Sequence, residues 1–194
     1  MNQEIEIEFK NLLMEEEYSR LLEAYGFNKN NAKRQTNHYF ETTQMELKQK
    51  GSALRIRKKG NSYTLTLKQP YKDDLLETHQ QLTEEEFFEA IKNSVLPNGD
   101  VLDQISKLLE KNQHTFTYLG ELTTDRIEKT LDEGTLVLDK SYYFQVTDFE
   151  LEFECVDKQT GYTYFQNTLT TYEIPIRETP NKIKRFYEEK MKQK

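Results

Sequence analysis

Apolar and charged residues alternate along Glu4-Ile5-Glu6-Ile7-Glu8-Phe9-Lys10, the period-two pattern of a strand with one face in a core and the other carrying charge. The same period returns in Ser52–Lys58 and Tyr63–Lys68, joined by a turn at Gly60-Asn61. It recurs in Leu75–Leu82, where Glu77, His79 and Gln81 share a face. Further strand runs are Lys33–Thr42, Thr115–Leu119, Thr123–Leu131, Thr135–Lys140 after Gly134, and Phe149–Glu154. Helical spacing predicts Met14–Tyr25 with Gly26 as its stop, a short piece from Gln44 to Lys50, and a helix capped by Thr83 with Glu86 three residues on. Three more helices are predicted over Asp100–Lys111, Gln159–Glu173 and Asn181–Lys192. Strands linked by short turns read as an antiparallel sheet with helices added, an α+β arrangement. With no long linker between the halves, residues 1–194 are read as one domain.

Composition narrows this picture. Twelve Tyr and 11 Phe in 194 residues argue against disorder. The net charge of -7 offers no bulk attraction to nucleic acid, so a polyanion would need a local basic site. One cysteine, Cys155, excludes an internal disulfide and reads as a packing residue rather than a nucleophile. His38 has no second histidine at ligand spacing and reads as a polar strand residue. No apolar stretch reaches spanning length and the N-terminus lacks a signal-peptide pattern, so no membrane association and a cytoplasmic location are expected.

The charges are sorted by strand. Acids stand at Glu6 and Glu8 and at Glu150, Glu152 and Glu154; bases stand at Arg55, Arg57, Lys68 and Arg126. A solvated surface usually mixes signs within a strand, whereas segregation suggests a lined interior. If the strands close into a barrel, apolar faces pack outward against helices and charged faces line the lumen. Such a lumen needs a ligand that satisfies both signs, and a polyphosphate with a divalent metal does so.

Glu6-Ile7-Glu8-Phe9-Lys10 resembles the ExExK signature of the CYTH superfamily, the triphosphate tunnel metalloenzymes. The resemblance continues in order through Tyr39-Phe40-Glu41-Thr42, Leu54-Arg55-Ile56-Arg57, Leu65-Thr66-Leu67-Lys68, Arg126, Asp139, Phe149-Glu150-Leu151-Glu152, Lys182 and Lys184-Arg185-Phe186. Among its members it is most similar to the stand-alone CYTH proteins of low-GC Gram-positive bacteria. It implies a closed eight-stranded antiparallel β-barrel with helices outside, and a metal-dependent triphosphatase using Mg²⁺ or Mn²⁺. By the same resemblance Glu6, Glu8, Asp139, Glu150 and Glu152 hold metal, and Lys10, Arg55, Arg57, Lys68, Arg126, Lys182 and Arg185 grip phosphate. Glu6, Glu8, Lys10 and Arg126 are the implied catalytic set. Asp139 either supports a metal or orients a base, and Glu154 matches more loosely, as a ligand or a structural residue at the tunnel mouth.

Two departures stand out. Glu41 replaces the family's aspartate and is read as structural, and Glu77 is followed by His79 and Gln81 where acids alternate in the family. His79 is read as a hydrogen-bonded strand residue or a substrate contact. The implied reaction splits inorganic tripolyphosphate into diphosphate and phosphate, with a triphosphate-containing small molecule as partner. Thiamine triphosphatase, class IV-type adenylate cyclase and a non-catalytic polyphosphate- or nucleotide-binding module remain alternatives.

Overall fold

The structure, a computed structural model, describes residues 2–193. Among the described residues there are eight strands: β1 (Asn2–Leu13), β2 (Lys33–Thr42), β3 (Ala53–Lys59), β4 (Ser62–Tyr71), β5 (Asp74–Leu82), β6 (Phe116–Leu131), β7 (Gly134–Tyr143) and β8 (Val146–Cys155). They form a closed antiparallel barrel in the order β1-β5-β4-β3-β2-β6-β7-β8. Helices α1 (Glu15–Ala24), α2 (Glu46–Gln49), α3 (Glu84–Asn93), α4 (Asp100–Leu109), α5 (Lys158–Thr171) and α6 (Lys182–Lys192) complete the α+β fold.

The chain divides into two compact units. The first comprises residues up to Glu6 together with Gln35–Leu122; the second comprises Ile7–Arg34 and the chain from Thr123 onward. In the first, Leu54 and Ile56 of β3 and Leu65 and Leu67 of β4 are fully buried with Phe87 and Ala90 of α3 and Val101 and Ile105 of α4. Alternation does the rest, turning Arg55, Arg57, Thr66 and Lys68 to the other face. In the second unit, Leu136, Leu138, Leu151 and Phe153 pack with Leu21 and Leu22 of α1 and Phe165 and Leu169 of α5. Arg126, Asp139, Glu150 and Glu152 take the opposite face.

The predicted capping box at α3 is present: Thr83 Oγ1 accepts from Glu86 N at 3.1 Å and Glu86 Oε2 accepts from Thr83 N at 2.8 Å. Glu41 is structural as expected. Its buried carboxylate accepts from the backbone N–H groups of Thr42 (2.7 Å), Leu47 (3.0 Å) and Lys48 (2.8 Å). It thereby holds the start of α2, where the orphan N–H groups of a helix favour negative charge. Cys155 packs against the second core, with its Sγ 2.2 Å from where a Cβ on Gly161 would fall.

The two runs expected as separate strands, Thr115–Leu119 and Thr123–Leu131, are one 16-residue strand, β6. Leu119 and Leu122 are both buried although they lie three apart. Gly120, at φ 128°, lets the chain slip its alternation by one residue without leaving the sheet, as a bulge does. A period-two reading therefore breaks where the strand does not. No helix among the described residues is long and apolar enough to cross a membrane.

Candidate functional site

In the first unit the charged face is assembled by register. Lys68 of β4 stands opposite Glu77 of β5, Thr66 opposite His79, and Glu4 of β1 opposite Glu77. Glu77 is the centre of this group. Its Oε1 lies 3.4 Å from Arg55 Nη2 and 3.5 Å from Lys68 Nζ, and its Oε2 lies 3.5 Å from His79 Nε2. Burial works to raise the Glu77 pKa, but Arg55, Lys68, His79 and Arg57 outweigh it and hold the carboxyl below its ordinary value. Lys68 also contacts Glu6. His79 is bonded at both ends, Nδ1 to Thr66 Oγ1 and Nε2 to Glu4 Oε1, each at 3.0 Å. Arg57 Nε donates to Asn37 Oδ1 at 3.0 Å. Ligand atoms of Glu4, Glu77 and His79 lie within 4.8 Å of one another, close enough to share a metal ion.

In the second unit a denser set forms. Glu8 of β1 stands opposite Glu154 of β8 and Lys10 opposite Glu152; Asp139 of β7 stands opposite both Arg126 of β6 and Glu150 of β8. Three of these acids are almost out of water, with Asp139 0%, Glu150 1% and Glu152 6% exposed. Ionised carboxylates survive there only with compensating charge. Arg126 supplies part of it through a fork to Asp139, Nε to Oδ1 at 2.8 Å and Nη2 to Oδ2 at 2.7 Å. The guanidinium also meets Glu152 at 2.5 Å and Glu154 at 3.4 Å.

The remaining compensation comes from the first turn of α6. Lys182 Nζ lies 2.9 Å from Asp139 Oδ2 and 3.0 Å from Glu150 Oε2, and contacts Glu152 as well. Arg185 pairs with Glu150, reaches Asp148 at 3.1 Å and donates to the Pro180 carbonyl at 2.6 Å. Lys10 lies 2.9 Å from Glu8 and also contacts Asn181. Burial opposes the charged form of Lys182, yet Asp139, Glu152 and Glu150 raise its pKa well above the ordinary value. Burial likewise works to raise Glu152, but Lys182 and Arg126 hold it well below the carboxylate range. Glu150 goes the other way: desolvation, with Glu152 beside it, pushes it up. One oxygen of Glu150, Oε1, is buried with no hydrogen-bond partner.

Within the first unit, then, the structure brings Glu6, Arg55 and Lys68 to one cluster, with Arg57 set aside on Asn37. Within the second it gathers Arg126, Asp139, Glu150, Glu152, Lys182 and Arg185 into one network, with Glu8 and Lys10 paired beside each other. Glu77, whose role the sequence leaves open, is central, and Glu4 belongs with it. The alternation of β1 places Glu4 in line with Glu6 and could have found it. Asp148 extends the Glu150-Glu152-Glu154 alternation of β8 by one step, so the same period could have found it, whereas Asn181, outside the strands, carried no such signal.

The donor set fits a hard divalent cation. Among the described residues the ligand atoms already within 4.8 Å of one another are those of Glu4, Glu77 and His79; Asp139, Glu150 and Glu152 each direct one oxygen at Lys182 Nζ, and the unpartnered Oε1 of Glu150 is an acceptor still lacking a donor.

The chain matches the CYTH domain family over residues 4–187. It is 46% identical over 192 residues to the Bacillus subtilis (strain 168) protein YjbK, named as a candidate triphosphatase, with 99% of each chain covered. It is similar to a solved structure from Bacillus halodurans, described as a candidate adenylate cyclase, at 40% identity and TM-score 0.91, covering 96% of this chain and 100% of that one. A Hippeastrum structure, HpAC1, described as a candidate adenylyl cyclase with a dominant triphosphatase activity, shares the fold at TM-score 0.75 and 21% identity, covering 95% of each chain. With its barrel, its ordered charged strands and a family match across nearly its whole length, this chain belongs to the CYTH domain family.

Proposed function

We propose that this CYTH protein is a metal-dependent hydrolase that cleaves a triphosphate, inorganic tripolyphosphate foremost, into diphosphate and phosphate, and that it works as a single CYTH domain. The observation that carries the reading is the burial of Asp139, Glu150 and Glu152 together with Arg126, Lys182 and Arg185. A module that only captured an anion would gain from fewer acids and more bases. Buried charge of both signs suits a substrate that arrives with its own cation.

In the second unit Glu8, Asp139, Glu150 and Glu152 hold Mg²⁺ or Mn²⁺, while Lys10, Arg126, Lys182 and Arg185 bind phosphate oxygens. In the first unit Glu6 serves the metal and Arg55, Arg57 and Lys68 serve phosphate. When bound, the divalent ion neutralises phosphate oxygens and lowers the pKa of an attacking water. The chain's own task is positioning and charge: rigid guanidinium forks orient the phosphates, and fixed positive groups stabilise charge in the transition state. No nucleophilic side chain is needed.

The relative at 46% identity, named as a candidate triphosphatase, supports this reading. The test is phosphate release from tripolyphosphate, ATP and thiamine triphosphate in parallel, with Mg²⁺, with Mn²⁺ and with chelator. Metal-dependent release from tripolyphosphate above the other two is expected, and Glu8→Gln should abolish it while the circular dichroism spectrum stays unchanged. Binding without turnover of any substrate would overturn the reading. The name of the Bacillus halodurans neighbour favours a cyclase as the second reading. Cyclic nucleotide and diphosphate formed from ATP would establish it.

A further inference from the structure

Lys182 differs from the other basic groups of the second unit in what it touches. Arg126 keeps a two-point fork on Asp139, and Arg185 is also anchored on Asp148 and the Pro180 carbonyl. The partners of Lys182 are Asp139, Glu150 and Glu152, three carboxylates from β7 and β8 gathered around one ammonium. These are the acids proposed above to hold metal. A compact ammonium at about 3 Å from three carboxylate oxygens neutralises them much as a divalent ion would, though with one charge instead of two. The same oxygens cannot surround both.

We propose that Lys182 is a resident counter-cation for Asp139, Glu150 and Glu152, so that a divalent ion displaces it and enters together with the polyphosphate rather than alone. The proposal rests on the metal-triphosphate reading of this site. A metal ion entering by itself would expel Nζ from its three acids and leave a mostly buried ammonium without a carboxylate. A phosphate chain arriving with the metal supplies the oxygen that Lys182 then needs. Lys182 sits in the first turn of α6, on a four-carbon stem, so the exchange requires only a swing of the side chain and a loosening of that turn. The metal and the anion therefore bind cooperatively, with Lys182 as the coupling element, because each removes the cost the other would meet alone.

The experiment titrates Mn²⁺ alone into the full wild-type chain and into Lys182→Met, reading free Mn²⁺ by electron paramagnetic resonance. Removing the competing ammonium should tighten Mn²⁺ binding by at least ~10-fold, because the variant's acids are left uncompensated until metal arrives. A second measurement needs only the wild-type chain, should the variant fail to fold. Backbone amides of 182–186 should exchange hydrogen faster with Mn²⁺ alone and slow again when diphosphate is added with it. Equal or weaker Mn²⁺ binding by Lys182→Met, or exchange in α6 that Mn²⁺ alone leaves unchanged, overturns the proposal. Metal-dependent phosphate release by a wild-type chain whose Lys182→Met variant binds Mn²⁺ no tighter would sink this inference and leave the triphosphatase standing. Tighter Mn²⁺ binding by the variant beside a wild-type chain that releases no phosphate would leave this inference standing and sink the triphosphatase.

Discussion

Replacing Arg126 by methionine tests the electrostatics of the second unit most directly. The substitution keeps an unbranched stem and removes a guanidinium that meets Asp139 through two bonds of 2.8 and 2.7 Å and Glu152 at 2.5 Å. Breaking a buried pair from one side costs ~3–5 kcal/mol, most of it the penalty of leaving a charge uncompensated. Lys182 still faces both acids, which puts the expectation at the low end, about 3 kcal/mol at neutral pH. The pH dependence has a definite sign. Glu152 is held well below its ordinary pKa, partly by Arg126, so this contribution is present above the carboxylate range and fades as pH falls toward the depressed folded value. The gap between wild type and variant should therefore be widest near pH 7 and narrow on acidification. Urea unfolding followed by far-ultraviolet circular dichroism is the assay, since the chain has no tryptophan. Phosphate release should fall by roughly 10²–10³-fold, as for loss of one preorganised charge-stabilising donor. A variant within ~1 kcal/mol of wild type at pH 7 would refute the account of compensated buried acids, because that is the size of an exposed pair.

Three further outcomes follow from other parts of the molecule. Glu41→Ala leaves the N–H groups of Thr42, Leu47 and Lys48 without their acceptor, and should cost about 3 kcal/mol in urea unfolding; Glu41→Gln, which retains one oxygen, should cost less. Gly161→Ala drives a Cβ to 2.2 Å from Cys155 Sγ and should lower stability by ~1–3 kcal/mol, with Cys155→Ala in the same chain recovering part of the loss. Arg177 forks onto Glu17 at 2.7 and 2.8 Å, and that hydrogen bonding lowers the Glu17 pKa despite burial. Glu17→Gln should thus cost ~1–2 kcal/mol at pH 7 and progressively less as the pH drops below the carboxylate range, measured by thermal unfolding across pH.

Much of this was legible in the chain because a strand's side-chain period is fixed. Arg55 and Arg57, or Glu150 and Glu152, must share a face whenever their segments are extended, and the apolar residues between them must face the other way. What alternation does not carry is register. That Asp139 stands opposite both Arg126 and Glu150, and Glu77 opposite both Lys68 and Glu4, depends on strand pairing and on two-residue turns. Glu77 therefore looked like one uncertain acid in sequence and became a centre only once its neighbours were set. Asn181 was illegible for another reason. It caps α6 and gains meaning only from the side chain that reaches it. In β6, local alternation misled outright, since Gly120 shifts the pattern inside a continuous strand.

The pairing of β1 also bears on how the chain is made. Strands β3, β4 and β5 form one run of tight hairpins and β6, β7 and β8 another, so each can form as soon as it has been synthesised. The first strand cannot. Its opening residues pair with Leu75–His79 and its later ones, Ile7–Leu13, with Phe149–Cys155. At ~5–20 residues per second, ribosomal synthesis leaves the second half of β1 unpaired for on the order of ten seconds or more before its partner emerges. The glutamates at positions 4, 6 and 8, which in the folded chain pair with His79, Lys68 and Lys10, are during that interval the charges that keep a nascent, aggregation-prone strand in solution.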